Sequence, residues 1–144
     1  MQAFPHHYGV EAKAEPEGDV VLSARGLPPL PTAPPAEFGG SGERWSPETL
    51  LVGAVADCFA LGFRAIARAS KLDWRALRCE VEGRLDRAEG RTSFTALEVR
   101  AHLEVPQGVD PERARRLLAK AEQSCLVTNS LRAEVSLDCQ VELV

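Results

Sequence analysis

The spacing of apolar and polar positions divides the chain into a short series of elements. Tyr8, Val10, Ala12 and Ala14 alternate with other residues, which is the period of a strand. Glu17-Gly18-Asp19 supplies a turn, and Val20-Val21-Leu22 reads as a second short strand. Residues 26–46 carry Pro28, Pro29, Pro31, Pro34 and Pro35, then Gly39, Gly40 and Gly42. Proline removes backbone donors and glycine loosens the chain, so the stretch predicts a long loop with one short edge strand around Leu30. A loop this long in a compact domain is often functional.

The next segment has the strongest pattern. Ser46 suits a helix cap, Pro47 the first helical position, and Glu48 the positive end of the helix dipole. Leu51, Ala54, Val55, Cys58, Phe59, Gly62, Ala65, Ile66 and Ala69 then recur at helical spacing. From Leu50 to Phe63 the helix is apolar nearly all round, which predicts burial on several sides, by a sheet and by a second subunit. Leu77, Cys79, Val81, Gly83 and Leu85 alternate, as do Phe94 to Val105, and Ala88-Glu89-Gly90 between them predicts a hairpin. Asp110-Pro111-Glu112 opens another helix, with Ala114, Leu117, Leu118 and Ala121 as its apolar stripe. Its outer face, Arg113, Arg115, Arg116 and Lys120, reads as solvated surface. Residues 124–131 read as a short helix or tight turn, and Val135, Leu137, Cys139, Val141 and Leu143 alternate as a last strand. The order β-β-loop-α-β-β-α-β predicts a single α+β domain over residues 1–144, with antiparallel sheets packed on a long central helix.

Composition narrows the function classes. Seventeen Lys and Arg against 21 Asp and Glu give a net charge of −4, with the basic residues scattered. This is not the footprint of a nucleic-acid binder. The first residues show no basic patch followed by an apolar run, and no stretch is expected to reach the roughly 20 apolar residues that span a bilayer. A cytoplasmic protein, with no membrane partner, is the expectation.

Four cysteines carry the candidate chemistry: Cys58, Cys79, Cys125 and Cys139. They form no CxxC pair and do not group with His6, His7 or His102 at metal-ligand spacing, so no metal or cofactor is expected. Cys79 and Cys139 fall in phase with inward strand positions, where cysteine serves as a small hydrophobe. Cys58 lies about three turns into the central helix on its apolar side, and Cys125 lies in a polar turn beside Ser124 and Thr128. Burial alone makes Cys58 inert, and it is too far from the helix start for the dipole to help. A reactive Cys58 therefore needs a nearby cation.

Two segments resemble the signatures of the OsmC/Ohr hydroperoxide-reductase family. Ser46-Pro47-Glu48-Thr49-Leu50-Leu51-Val52-Gly53-Ala54-Val55-Ala56-Asp57-Cys58-Phe59 is similar to the family's first motif. Ala121 to Leu131, around Cys125, is similar to the second, and Pro35-Ala36-Glu37-Phe38-Gly39-Gly40 resembles the Ohr branch. The resemblance implies an intertwined homodimer with sites at the subunit interface. It implies that Cys58 is oxidised by an organic hydroperoxide to a sulfenic acid, that Cys125 condenses with it to a disulfide, and that an external dithiol, of the dihydrolipoyl protein type, restores the pair. Glu48 matches the family's catalytic glutamate, which orients an arginine. The early turn that holds this arginine in Ohr is Glu15-Pro16-Glu17-Gly18 here, and Glu37 stands at the loop position used in OsmC. Arg44 and Arg25 are the nearby substitutes, and Arg44, in the loop feeding the helix, is the preferred one. Cys125 is followed by Leu126 where the family usually has proline. A non-catalytic dimer of the same fold, holding an apolar small molecule, is the competing expectation. Hydrolysis or group transfer would need a histidine base, and no motif joins a histidine to Cys58.

Overall fold

The computed structural model describes all residues, Met1–Val144. It divides into two compact units, residues 1–50 and 51–144.

The first unit holds three short strands, β1 (Glu11–Lys13), β2 (Val20–Ser23) and β3 (Leu30–Thr32), in an antiparallel sheet of order β1-β2-β3. The expected edge strand around Leu30 is β3. A 3-10 turn follows at Ala36–Phe38 and ends on Gly39 at φ 91°, a conformation that favours glycine. Gly40 is needed for a second reason, since a Cβ there would stand 1.7 Å from the Pro34 carbonyl oxygen. The start of α1 (Pro47–Ala69) is fixed locally. The Thr49 N–H donates to Ser46 Oγ at 3.1 Å, and the Ser46 N–H donates to Thr49 Oγ1 at 2.9 Å. This is a reciprocal cap with threonine in the place usually taken by Glu or Gln.

The second unit is built on the sheet β4-β5-β6, with β4 (Ala76–Ala88), β5 (Arg91–Val105) and β6 (Glu134–Leu143). β4 and β5 form the expected hairpin, closed by Glu89 at φ 55° and Gly90 at φ 75°. Two positive φ values in a two-residue turn match the twist of the flanking strands. A bulge between Arg84 and Leu85 leaves Thr95 as the extra residue opposite. The helices α2 (Pro111–Gln123) and α3 (Leu126–Asn129) lie between β5 and β6. Asp110 caps α2 by accepting the Glu112 N–H at 3.0 Å.

One topological expectation is corrected. β6 pairs with β5 in parallel, Ala101 opposite Cys139, so this sheet is mixed rather than antiparallel. The connection through α2 and α3 is long enough to return the chain to the same end of the sheet, which a parallel pair requires.

Alternation sorts the sheet's faces. Leu97, Val99, Ala101, Leu103 and Val105 of β5 are buried, while Glu98 is exposed and Arg100 and His102 are partly exposed. Arg100 bonds or pairs with Glu80, Glu82 and Glu98 on that polar face. The buried face joins Val55, Phe59, Phe63 and Ala67 of α1 and Ala114, Leu118 and Ala121 of α2 in one core. Each large side chain buried there stabilises the fold by about 1.5–3 kcal/mol. The i, i+4 spacing of the α1 set keeps it on a single stripe.

A second correction concerns α1 itself. It spans 23 residues and is apolar enough, by length and composition alone, to cross a membrane. The expectation that no stretch reaches this length does not hold for this segment, because its few charges are spread thinly enough to leave the average strongly apolar. Val55, Phe59, Phe63 and Ala67 are buried in the core just described, whereas Leu61 on the other side is half exposed.

Candidate functional site

Cys58 stands one residue before buried Phe59 and three after buried Val55, at the margin of the α1 stripe that enters the core. It is half-buried. Cys125 is brought to it by the end of α2. The Ser124 N–H and hydroxyl both donate to the Lys120 carbonyl, at 3.1 and 2.8 Å, and terminate the helix. Cys125 then takes an extended backbone, φ −66° and ψ 110°, and becomes the N-cap of α3.

The polar residues of this segment hold the turn. The Asn129 N–H donates to the Cys125 carbonyl at 3.0 Å, and the buried Thr128 hydroxyl donates to the same oxygen at 3.2 Å. Asn129 Nδ2 donates to the Gln123 carbonyl at 3.3 Å, and Ser130 Oγ to that of Leu126 at 2.8 Å. The Cys125 side chain itself closes no capping hydrogen bond.

The two thiols are free and adjacent, close enough that each alters the ionisation of the other. Burial pushes the Cys58 thiol up, the neighbouring Cys125 adds to that, and the Val127 and Leu126 amides only partly offset it. Burial also works upward on Cys125, but the Thr128 amide and hydroxyl, the Cys58 thiol and the Val127 amide together outweigh it and hold Cys125 below the ordinary thiol range. The groups that act on Cys58 are burial, Cys125 and two backbone amides, none of them cationic.

The other sequence-selected residues are placed as follows. Glu48, in the first turn of α1, has one carboxylate oxygen, Oε1, buried with no hydrogen-bond partner. Such an orphaned acceptor is costly and calls for a donor. Arg44 Nε pairs with Asp19 Oδ2 at 3.2 Å on an exposed surface, and Arg25 is exposed. Cys79 and Cys139 occupy the core face of the sheet as expected, flanking Ala101 in one cross-strand row. Burial raises both thiols, Cys79 to about 11. Cys125 contributes to the Cys79 rise, so Cys79 lies near the thiol pair as well. Sequence reasoning did not single out Thr128 as a partner of Cys125, although its place three residues beyond a helix-capping position was the available signal. No three or more His, Cys, Asp or Glu side chains come together as a metal-binding group.

A long apolar helix, a mixed sheet and two free thiols, one within α1 and one at the cap of α3, define a small α+β protein with a candidate thiol pair. Comparison with known proteins makes this specific. Residues 40–140 match the family described as OsmC-like protein, and the chain belongs to that family. It is 27% identical over 112 residues to YmaD of Bacillus subtilis, covering 76% of this chain and 75% of that one. It is 25% identical over 97 residues to the peroxiredoxin OsmC of Escherichia coli, covering 67% of each. Among solved structures, the organic hydroperoxide resistance protein OsmC of Legionella pneumophila superposes with a TM-score of 0.73 at 27% identity, covering 98% of this chain and 100% of that one.

Proposed function

We propose that this protein is a thiol-dependent peroxidase for organic hydroperoxides. The observation that carries the reading is the adjacency of Cys58 and Cys125, two free thiols far apart in sequence. The Cys58 thiolate attacks the outer peroxide oxygen. An S–O bond forms, the O–O bond breaks, and the leaving alkoxide takes a proton and departs as an alcohol. Cys125 then attacks the sulfenic sulfur, an S–S bond forms, and the hydroxyl departs with a proton as water. The pair has supplied two electrons, and an external dithiol of dihydrolipoyl type returns them by exchange.

The names of the relatives support the reading, one as a peroxiredoxin and one as an organic hydroperoxide resistance protein. Val55 and Phe59 beside Cys58 favour a peroxide with a carbon chain over hydrogen peroxide. In this reading Glu48 orients a guanidinium that holds Cys58 as the thiolate, and Arg44 supplies it. Arg44 leaves Asp19 at little cost, since an exposed ion pair is worth about 0–1 kcal/mol. The working form is an intertwined homodimer of one 144-residue domain in the cytoplasm.

The test is loss of free thiols on mixing reduced protein with cumene hydroperoxide. Two thiols per chain should disappear, and none in Cys58→Ser. Glu48→Gln and Arg44→Ala should slow the reaction by about a hundredfold, the effect of removing one preorganised electrostatic group. Full turnover in Cys58→Ser sinks the reading.

The absence of a cation among the groups acting on Cys58 favours a second reading, a binding module for an apolar small molecule. It is distinguished by a Cys58 that reacts with iodoacetamide no faster than an ordinary thiol, and by unchanged kinetics in Arg44→Ala.

A further inference from the structure

The polar face of the β4-β5-β6 sheet carries a depression of about 180 Å3, lined by side chains of all three strands. Strand register sorts the lining into two rows. Arg78 stands opposite His102, and His102 opposite Gln140. Glu80 stands opposite Arg100, and Arg100 opposite Asp138. The two central groups are occupied. Arg100 is held by Glu98 at 3.1 Å, Glu82 at 3.5 Å and Glu80 at 3.9 Å, all on β4 or its own strand. His102 Nε2 is held by Glu142 Oε2 at 3.0 Å. Two corners are different. Arg100 is committed to the β4 side, so Asp138 on β6 is left without a cation. Arg78 approaches Glu80 most closely through Nε, at 3.5 Å, a loose contact for a charge pair. The depression therefore has a free anion at one corner, a loosely held cation at the corner diagonally opposite, and fixed groups between them.

We propose that this depression binds a small zwitterion of the ω-amino carboxylate type, its carboxylate on Arg78 and its ammonium on Asp138. The spacing selects the class. Neighbouring strands lie about 4.8 Å apart, so Arg78 and Asp138 are rooted about 10 Å apart across β5 and about 7 Å apart along it. An arginine reaching inward shortens that span to the length of a butyl chain. An α-amino acid, with both charges on one short backbone, is too short to meet both corners. A simple amine or a simple carboxylate meets only one of them. Gln140, two residues beyond Asp138 on the same face of β6, lies in the row of Arg78 and can donate its amide to the carboxylate end.

The probe is 4-aminobutanoate, titrated into the isotope-labelled full chain and followed by amide chemical shifts. Saturable shifts are expected on β4, β5 and β6 around Ala101, with a dissociation constant in the millimolar range. Arg78→Gln and Asp138→Asn should each weaken binding by about tenfold, the loss of one charge-assisted contact. Arg84→Gln, on the same strand but outside the depression, should leave it unchanged. Arg78→Ala and Asp138→Ala replace either variant if its circular dichroism shows unfolding. Butylamine, butyrate and glycine should each bind about tenfold more weakly than the probe. The absence of saturable shifts, equal binding of any of the three control compounds, or binding untouched by loss of Arg78 or Asp138 overturns the site. The inference rests on the sheet's register and ion pairs and not on the thiols, so the cumene hydroperoxide test stands or falls separately.

Discussion

Cys58 and Cys125 press on each other's protons in opposite directions, Cys58 held above the ordinary thiol value and Cys125 below it. Burial is the largest influence on Cys58, and Cys125 adds to it. Interacting thiols lose their protons as a pair, in two steps. The first step should therefore lie below the ordinary thiol value and the second above it. In Cys125→Ser a single step should remain for Cys58, below the upper step of the parent, because the neighbour that raised it can no longer ionise. Thiolate absorbance near 240 nm against pH reads both proteins, with Cys79 and Cys139 replaced by serine to clear the background. A Cys58 step that rises on loss of Cys125 refutes the pairing.

Thr128 sets the lower step. It is buried, its hydroxyl holds the Cys125 carbonyl at 3.2 Å, and its amide and hydroxyl both favour the Cys125 thiolate. Thr128→Val keeps the shape and removes the hydroxyl. It should cut the thiolate fraction at neutral pH by about tenfold, the equivalent of about 1.4 kcal/mol. Thr128→Ser should restore most of it. The readout is the pH profile of iodoacetamide labelling at Cys125. An unchanged profile in Thr128→Val would leave Thr128 with a purely structural part.

These two thiols also mark where sequence reasoning stops. Helix α1, the β4–β5 hairpin and the α2 cap were legible because their causes are local: Ser46 and Pro47, Glu89-Gly90, and Asp110 each act within a few residues. The parallel pairing of β6 was not legible, because Val135 to Leu143 alternates with period two whichever direction the strand runs. Nor could spacing show Cys58 beside Cys125, since that contact closes a loop through both strands of the hairpin and α2. The two motifs name Cys58 and Cys125, but only the fold brings them together. The Arg44–Asp19 pair was hidden for the same reason, being joined across the first unit rather than along it.

Gly83 explains how α1 approaches β4. A Cβ at that position would stand 2.8 Å from Val52 Cγ2 and 3.0 Å from Phe94 Cε1. Val52 is β-branched and stiff at χ1, so it has little freedom to yield. Gly83→Ala should destabilise the protein by about 1–3 kcal/mol through overpacking. Val52→Ala in the same chain should recover part of that loss, and a urea-denaturation cycle of the four proteins measures the coupling. Additive effects would mean that the added methyl group and Val52 do not share this space.

Cys79 gives the protein an alkaline weakness with a definite sign. Burial raises its thiol to about 11, and Cys125, Cys139 and Glu80 add to the rise. The unfolded chain releases this proton near pH 8.5. Between those values the unfolded state is ionised at Cys79 and the folded state is not, so the unfolded state binds fewer protons. Stability contributed by this group is then complete below about pH 8.5 and is lost as pH climbs towards 11. Cys58 and Cys139, also raised, act in the same direction. Cys125, held low, acts oppositely, since its contribution is present at high pH and fades as pH falls through its folded value. Thermal melts from pH 7 to 10.5 should therefore show a declining Tm in the parent and a shallower decline in Cys79→Ala. The comparison rests on the slopes, so the small loss of packing in the alanine variant does not affect it. Parallel curves would mean that Cys79 ionises as easily in the folded sheet as in the unfolded chain.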